Sequence, residues 1–251
     1  MSDNFKIIGI GGAGINSIPP SFSDKSFKIS SENFHGFPAL KTDLMNLNRT
    51  ERTLIISSPA GLFSSYVLPE ILRTLNERGE TLIFLSIEPF SSESKERRAR
   101  ANETLRNIKK YLKTLVRIEN DNFVSSMENS SWAELLDKVN SHISTLVEGL
   151  IRMDYGIPET REIGLYHSEG VTVEELEKNL IFSNSKPSEG MIGTADVRNL
   201  DDLKRIRDNL PVEILSYRVS NKLSISGVLL YSHANSIYSR VSPSEHGIRI
   251  H

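Results

Sequence analysis

The clearest chemical signal in the chain is Gly9-Ile10-Gly11-Gly12-Ala13-Gly14. It closes an apolar run, Phe5–Ile10, and in that place glycines let the backbone approach a phosphate while its N–H groups point at the anion. The same residues satisfy the G-x-G-x-x-G spacing of dinucleotide loops, with Glu32 standing roughly where an acid would meet a ribose. Against a dinucleotide, Pro19-Pro20 stops the next helix about one turn after the loop, whereas that fold needs the helix for its dipole and packing. A glycine turn without a ligand fits the spacing too. Three readings therefore stand: a nucleotide loop, an NAD- or flavin-linked Rossmann enzyme, and a nucleotide-free scaffold.

Other chemistry-bearing residues are sparse. The 251-residue chain has no cysteine, which excludes disulfides and thiolate metal sites, and its six histidines show no metal-ligand spacing. With no secretory signal either, a reducing, cytoplasmic setting is expected. A net charge of −2 gives no general pull toward nucleic acid or an anionic membrane. The basic run Lys95-Glu96-Arg97-Arg98-Ala99-Arg100 reads as a solvated helix face. No apolar stretch is long enough to insert into a bilayer.

The elements that must hold the loop alternate between short apolar runs and helix-period segments, the pattern of βαβ units and a mostly parallel, Rossmann-like sheet. Strands are expected at Phe5–Ile10, 53–57, 81–87 and 115–118, with helices over 65–78, ended by Gly79, and 94–113. From Trp132 to Ile151 apolar residues recur at helical spacing, the strongest helix signal in the chain. The Pro/Gly-containing connection 155–170 then marks a boundary, and a smaller α+β unit follows. Thr172-Val173-Glu174-Glu175 has the capping-box form and Asn199 starts another helix. The β-rich runs Val212–Val219 and 222–231, joined by Ser220-Asn221, suggest a hairpin. The unlike patterns on either side of the long helix predict separate sheets in the two halves.

The glycine loop with Ile15-Asn16 resembles the first nucleotide loop of the FtsZ/tubulin superfamily, where an Asn follows the last glycine by two positions. Four further segments arrive in the family's order. Ala39-Leu40-Lys41-Thr42-Asp43-Leu44 is similar to its Ala-Val-Asn-Thr-Asp-Leu loop, with Lys41 in place of the Asn. Glu88-Pro89-Phe90-Ser91-Ser92-Glu93-Ser94-Lys95-Glu96-Arg97 resembles the Lys-Pro-Phe-Ser-Phe-Glu-Gly-x-x-Arg segment that touches ribose and base. Ile118-Glu119-Asn120-Asp121 resembles the Ile-Pro-Asn-Asp turn, and the striped helix resembles the long central helix.

The resemblance implies a GTPase-type domain over residues 1–129, a central helix over 130–152 and a smaller, truncated α+β domain over 153–251. It also implies GTP or GDP as ligand, bound weakly. One wall of that site would be Gly11, Gly12, Gly14 and Asn16, with Gly12 expected to need a positive φ; the other would be Pro89, Glu93 and Arg97. Thr42, Asp43 and Gly61 would complete it.

The departures bear on function. Where the family has Gly-Gly-Gly-Thr-Gly-Thr-Gly around the β- and γ-phosphates, this chain reads Ser57-Ser58-Pro59-Ala60-Gly61-Leu62-Phe63-Ser64-Ser65. Only Gly61 is kept, Pro59 has no N–H to donate, and Leu62 and Phe63 would enter phosphate space, while Ser64 and Ser65 suit a helix cap. The connection that senses the γ-phosphate is shortened. The family's catalytic Asn-x-Asp-x-x-Asp loop has two placements here: Arg152, Asp154 and Ile157, or His167, Glu169 and Thr172. Each keeps one carboxylate, so Asp154 and Glu169 are weak catalytic candidates and hydrolysis is expected to be negligible. The expected role is cytoskeletal or in cell division, assembling with itself or an active homologue.

Overall fold

The structure is a computed structural model that describes residues 5–123, 131–153, 157, 161–183 and 190–231. The N-terminal half runs β1 (Phe5–Ile10), α1 (Gly11–Asn16), a 3-10 turn (Pro20–Lys25), β2 (Ser26–Ile29), α2 (Phe37–Asn46), β3 (Arg52–Ser57), α3 (Leu62–Glu77), β4 (Thr81–Glu88), α4 (Lys95–Ile108) and β5 (Thr114–Glu119). After α5 (Trp132–Met153) come β6 (Arg161–Gly170), α6 (Val173–Lys178), β7 (Ile181–Phe182), β8 (Gly190–Val197), α7 (Leu200–Asn209), β9 (Val212–Val219) and β10 (Leu223–Leu230).

Local chemistry explains the ends of these elements. Gly79 takes φ +74° just past α3, a conformation in which a β-carbon is strained. The Ser94 hydroxyl accepts from the Arg97 N–H to start α4. At α6 Glu175 N–H donates to the Thr172 cap Oγ1 (3.2 Å), and the Glu175 carboxylate accepts from Val171 N–H (2.7 Å), one residue before the position that a strict capping box uses.

All strands among the described residues join one sheet, in the order β2-β1-β3-β4-β5-β6-β10-β8-β9, with β7 beside β6. β1 to β5 are parallel, and their apolar runs are buried on both faces, as helices on both sides of a parallel sheet require. On one face α5 lays Val139, Ile143, Leu146 and Leu150 over Leu54, Ile56, Leu85 and Val116, and also over Ile163, Leu165 and Val228 from the C-terminal half. On the other face α2, α3 and α4 cover Ile8, Ile55, Phe84 and Leu115, while α6 and α7 cover Tyr166, Ala195 and Ile225.

Several expectations change. The two halves do not carry separate sheets: β6 runs parallel to β5 over Thr114–Val116 and Arg161–Ile163, and the sheet continues through this short joint. β9 and β10 are no hairpin, since β8 lies between them, parallel to β9 and antiparallel to β10. The connection read across 155–170 contains β6, whose polar His167 and Glu169 mask the short Ile163/Leu165 alternation. β2 and α2 were not foreseen.

Candidate functional site

β1, β3, β4 and β5 end at a common edge, because Ile10 stands beside Ser57, Ser57 beside Ser86 and Ile87 beside Ile118. The chain leaves β1 for β2 on one side and returns to β3 on the other. The gap between the loops after β1 and β3 is therefore the topological switch point, where open α/β sheets take ligands.

The glycines of the first loop serve different ends. Gly11 has φ +69°, and a β-carbon on it would lie 2.6 Å from Ser64 Oγ of α3. A β-carbon on Gly14 would overlap the Ile56 carbonyl of β3, and one on Gly9 would lie 2.7 Å from Ile18 Cδ1. Gly12 is exposed, has no positive φ and has nothing within 4 Å of a built β-carbon, so the expected strained position is Gly11, not Gly12. Ile10 caps α1 without a side-chain bond, which leaves the first N–H groups of α1 toward the switch point; Asn16 is exposed at its end.

The second loop is tied down from two sides. Ser57 Oγ donates to the Ile10 carbonyl (3.0 Å), and Arg100 Nη1 donates to the Ala60 carbonyl (2.9 Å). Pro59 and Ala60 are buried. Gly61 caps α3 with no side-chain bond, so Ser64 and Ser65 do not cap it: the Ser65 hydroxyl donates back to the Leu62 carbonyl, and Ser64 is packed beneath Gly11. Phe63 turns away from the loop edge-on to Phe34, whose centroid is 5.6 Å away, while Leu62 is 75% exposed.

After β4, Pro89 leads into a turn that uses Glu93 internally. Its carboxylate accepts the Phe90 N–H (2.9 Å) and pairs with Arg97 Nη1 (2.7 Å). Asp121 accepts the Ser91 N–H, and Arg98 holds the Ser91 carbonyl (2.9 Å). Arg98 and Arg100 thus fasten two loops in a run whose composition suggests only a solvated face; arginines at 97, 98 and 100 carry no hint of two separate carbonyl acceptors. Trp132, at the start of α5, packs against Phe90 with centroids 5.1 Å apart and the rings tilted by 57°.

The structure brings the glycine loop, Gly61, Pro89, Glu93 and Arg97 to one edge of the sheet. Thr42 and Asp43 lie instead within α2, exposed, with Thr42 Oγ1 donating to the Pro38 carbonyl. The loop that follows β2 is 30–36. Asp154 lies outside the described residues. Glu169 is on β6 itself, 3.4 Å from His167 Nε2, and Thr172 caps α6, so His167, Glu169 and Thr172 are spread over a strand and the start of the next helix. Burial holds the His167 imidazole below its ordinary pKa, partly offset by Glu169, and Nδ1 shares a 2.7 Å hydrogen bond with Ser226 Oγ.

No family model and no curated protein matches the sequence. Solved structures do. The "FtsZ dimer, empty" of M. jannaschii superposes with TM-score 0.72 at 12% identity, covering 91% of this chain and 88% of that one. The GTPγS-bound CetZ2 protofilament of Haloferax volcanii gives TM-score 0.65 at 13% identity over 91% and 93%. The GDP-form TubZ protofilaments of Bacillus thuringiensis give 0.65 at 11% over 90% and 85%. The chain has the FtsZ/tubulin fold.

Proposed function

We propose that this chain is an FtsZ-like cytoskeletal protein with a degenerate nucleotide site, assembling head to tail with itself or with an active homologue and turning over little or no GTP. The second loop carries this reading. Pro59 offers no N–H, Ala60 is pinned through its carbonyl by Arg100, and a single glycine remains where a phosphate wrap needs several backbone donors. What is left for an anion is the uncapped start of α3 beside the open Gly12. These suit one phosphate. Glu93 and Arg97 are ion-paired with each other and Glu93 Oε1 is held by the turn, so they offer a ribose less than the motif implies.

Head-to-tail assembly has support in the layout. The glycine loops lie at the carboxyl ends of the parallel strands, whereas β6, which follows the 154–160 connection, begins beside Thr114 at the opposite edge. Two unlike faces at opposite ends form a heterologous contact that propagates. CetZ2 and TubZ, which share the fold, were captured as protofilaments.

The test is chromatography of nucleotide released from denatured protein, with pelleting and phosphate release at high protein concentration. Expected are polymers without phosphate release above a blank, and little preference for GTP over GDP. Turnover at a per-minute rate, or tight GTP binding distinctly stronger than GDP, would overturn the degenerate site. Bound nicotinamide or flavin would favour the Rossmann-enzyme alternative, and a ligand-free protein that does not pellet would favour a scaffold.

A further inference from the structure

We propose that β9 is a self-recognition edge, on which a second copy of this chain pairs antiparallel about a two-fold axis. β9 ends the sheet order, so among the described residues its outer side has no strand partner. Such an edge presents free N–H and C=O groups. It also presents apolar side chains: Leu215, Tyr217 and Val219 are 50%, 48% and 62% exposed.

The pairing partner follows from the bulge. β9 runs beside β8 with Gly193 opposite Ile214 but Thr194 opposite Ser216, so Leu215 is an extra residue that flips the alternation. Val212, Ile214, Tyr217 and Val219 therefore share the face of Ala195 and Val197, toward α7. Glu213, Ser216 and Arg218 share the opposite face, where Arg218 meets Asp196. Opposite residues in an antiparallel ladder must point to the same face. A two-fold register that sets Val212 opposite Val219, Glu213 opposite Arg218 and Ile214 opposite Tyr217 meets that condition at every one of these pairs. It places an acid against a base twice, once on each side of the axis.

Both charges are available for it. Glu213 is exposed and makes no hydrogen bond or ion pair among the described residues. Arg218 gives Nε and Nη2 to Asp196 (2.9 and 3.0 Å), and its Nη1 makes no bond among the described residues. Such a dimer closes on itself and uses the sheet's edge, not the strand-end faces, so it does not depend on the head-to-tail reading. A single ladder with a few apolar contacts buries little area, which makes the association weak and concentration-dependent.

Sedimentation equilibrium of the full chain is expected to show monomer–dimer exchange. Glu213→Arg and Arg218→Glu each set like charges opposite and are expected to weaken the dimer about ten-fold or more, while the double reversal restores it. Because Arg218 also braces Asp196, disulfide trapping provides an independent measure. The chain has no cysteine, so oxidising an equimolar mixture of Glu213→Cys and Arg218→Cys chains is expected to trap a dimer that neither variant forms alone. End-to-end polymers should survive Glu213→Arg, which keeps the two contacts distinguishable. The proposal is overturned by a wild-type chain that stays monomeric, by a double reversal that fails to restore the dimer, by no disulfide in the mixture, or by dimers that form only once residues 232–251, a competing occupant in cis, are removed.

Discussion

At the scale of single residues, the first loop separates glycines that the fold needs from one that it does not. Gly14 lets α1 press against the β3 backbone: a methyl group there would overlap the Ile56 carbonyl, and neither backbone can retreat without disturbing the ladder. Gly14→Ala is expected to destabilise by about 1–3 kcal/mol or more, as other overpacked cores do. Gly12 faces open space without a positive φ. Gly12→Ala is expected to be neutral or to stabilise by about 0.4–1 kcal/mol through the unfolded chain. Thermal unfolding of both variants checks the pair, and equal losses would mean that the loop is packed otherwise. If nucleotide binding falls in Gly12→Ala while its melting temperature holds, the open glycine is where a ligand's phosphate comes close. The sequence displayed four candidate glycines in one short run and nothing to rank them, because the discriminating atoms, Ile56 O and Ser64 Oγ, arrive from β3 and α3.

Between elements, the contact of α5 with the C-terminal strands changes character along its length. Ile163, Leu165 and Val228 meet α5 with apolar side chains, but one register further His167, Ser226, Asp196 and Arg218 face it around a cleft of about 290 Å³. Arg152 of α5 bridges Asp196 and Glu148, both at 3.0 Å, and Gly149 passes so close that a β-carbon would lie 2.5 Å from Ser226 Cβ. Burial lowers the pKa of His167 below 6.5, with Glu169 and Glu148 opposing and Arg152 assisting, and burial lowers that of His142 as well. The unfolded chain therefore takes up these protons more readily than the native one. Their stabilising contribution is whole above pH 6.5 and is lost as the pH falls through that value toward the folded pKa. The melting temperature is expected to drop on acidification below 6.5, and His167→Gln to make that drop shallower without abolishing it, since His142 remains. An unchanged slope would assign the acid sensitivity elsewhere. The α5 stripe was legible because one period ran through the whole helix. β6 was not, because a strand that is apolar for three residues and polar for the next three has no period that sequence can show, and its meaning depends on which part of α5 it meets.

For the whole molecule, the decisive feature is the joint between β5 and β6. Only Thr114–Val116 and Arg161–Ile163 pair there, too little ladder to couple two halves by itself. Coupling comes from α5, whose Ile143, Leu146, Val147 and Leu150 belong to one apolar cluster with Leu54 and Val116 on one side and Ile163, Leu165 and Val228 on the other. A helix that spans both halves gives them one apolar cluster in common, while the clusters under α2, α3 and α4 and under α6 and α7 stay distinct, and the shared cluster is what should make the halves melt together. The chain's single tryptophan, Trp132, sits against Phe90 at the N-terminal end of that helix and reports on the first half, whereas hydrogen exchange at the amides of β10 reports on the second. In denaturant, both probes are expected to trace one transition with a common midpoint. Leu150→Ala removes a fully buried side chain from the shared cluster and should cost about 2–5 kcal/mol. It should move both midpoints together, although Trp132 lies at the far end of the helix from Leu150. Two separated transitions, or a Leu150→Ala shift confined to β10, would show that the halves hold independent cores and that the continuous sheet is only a seam.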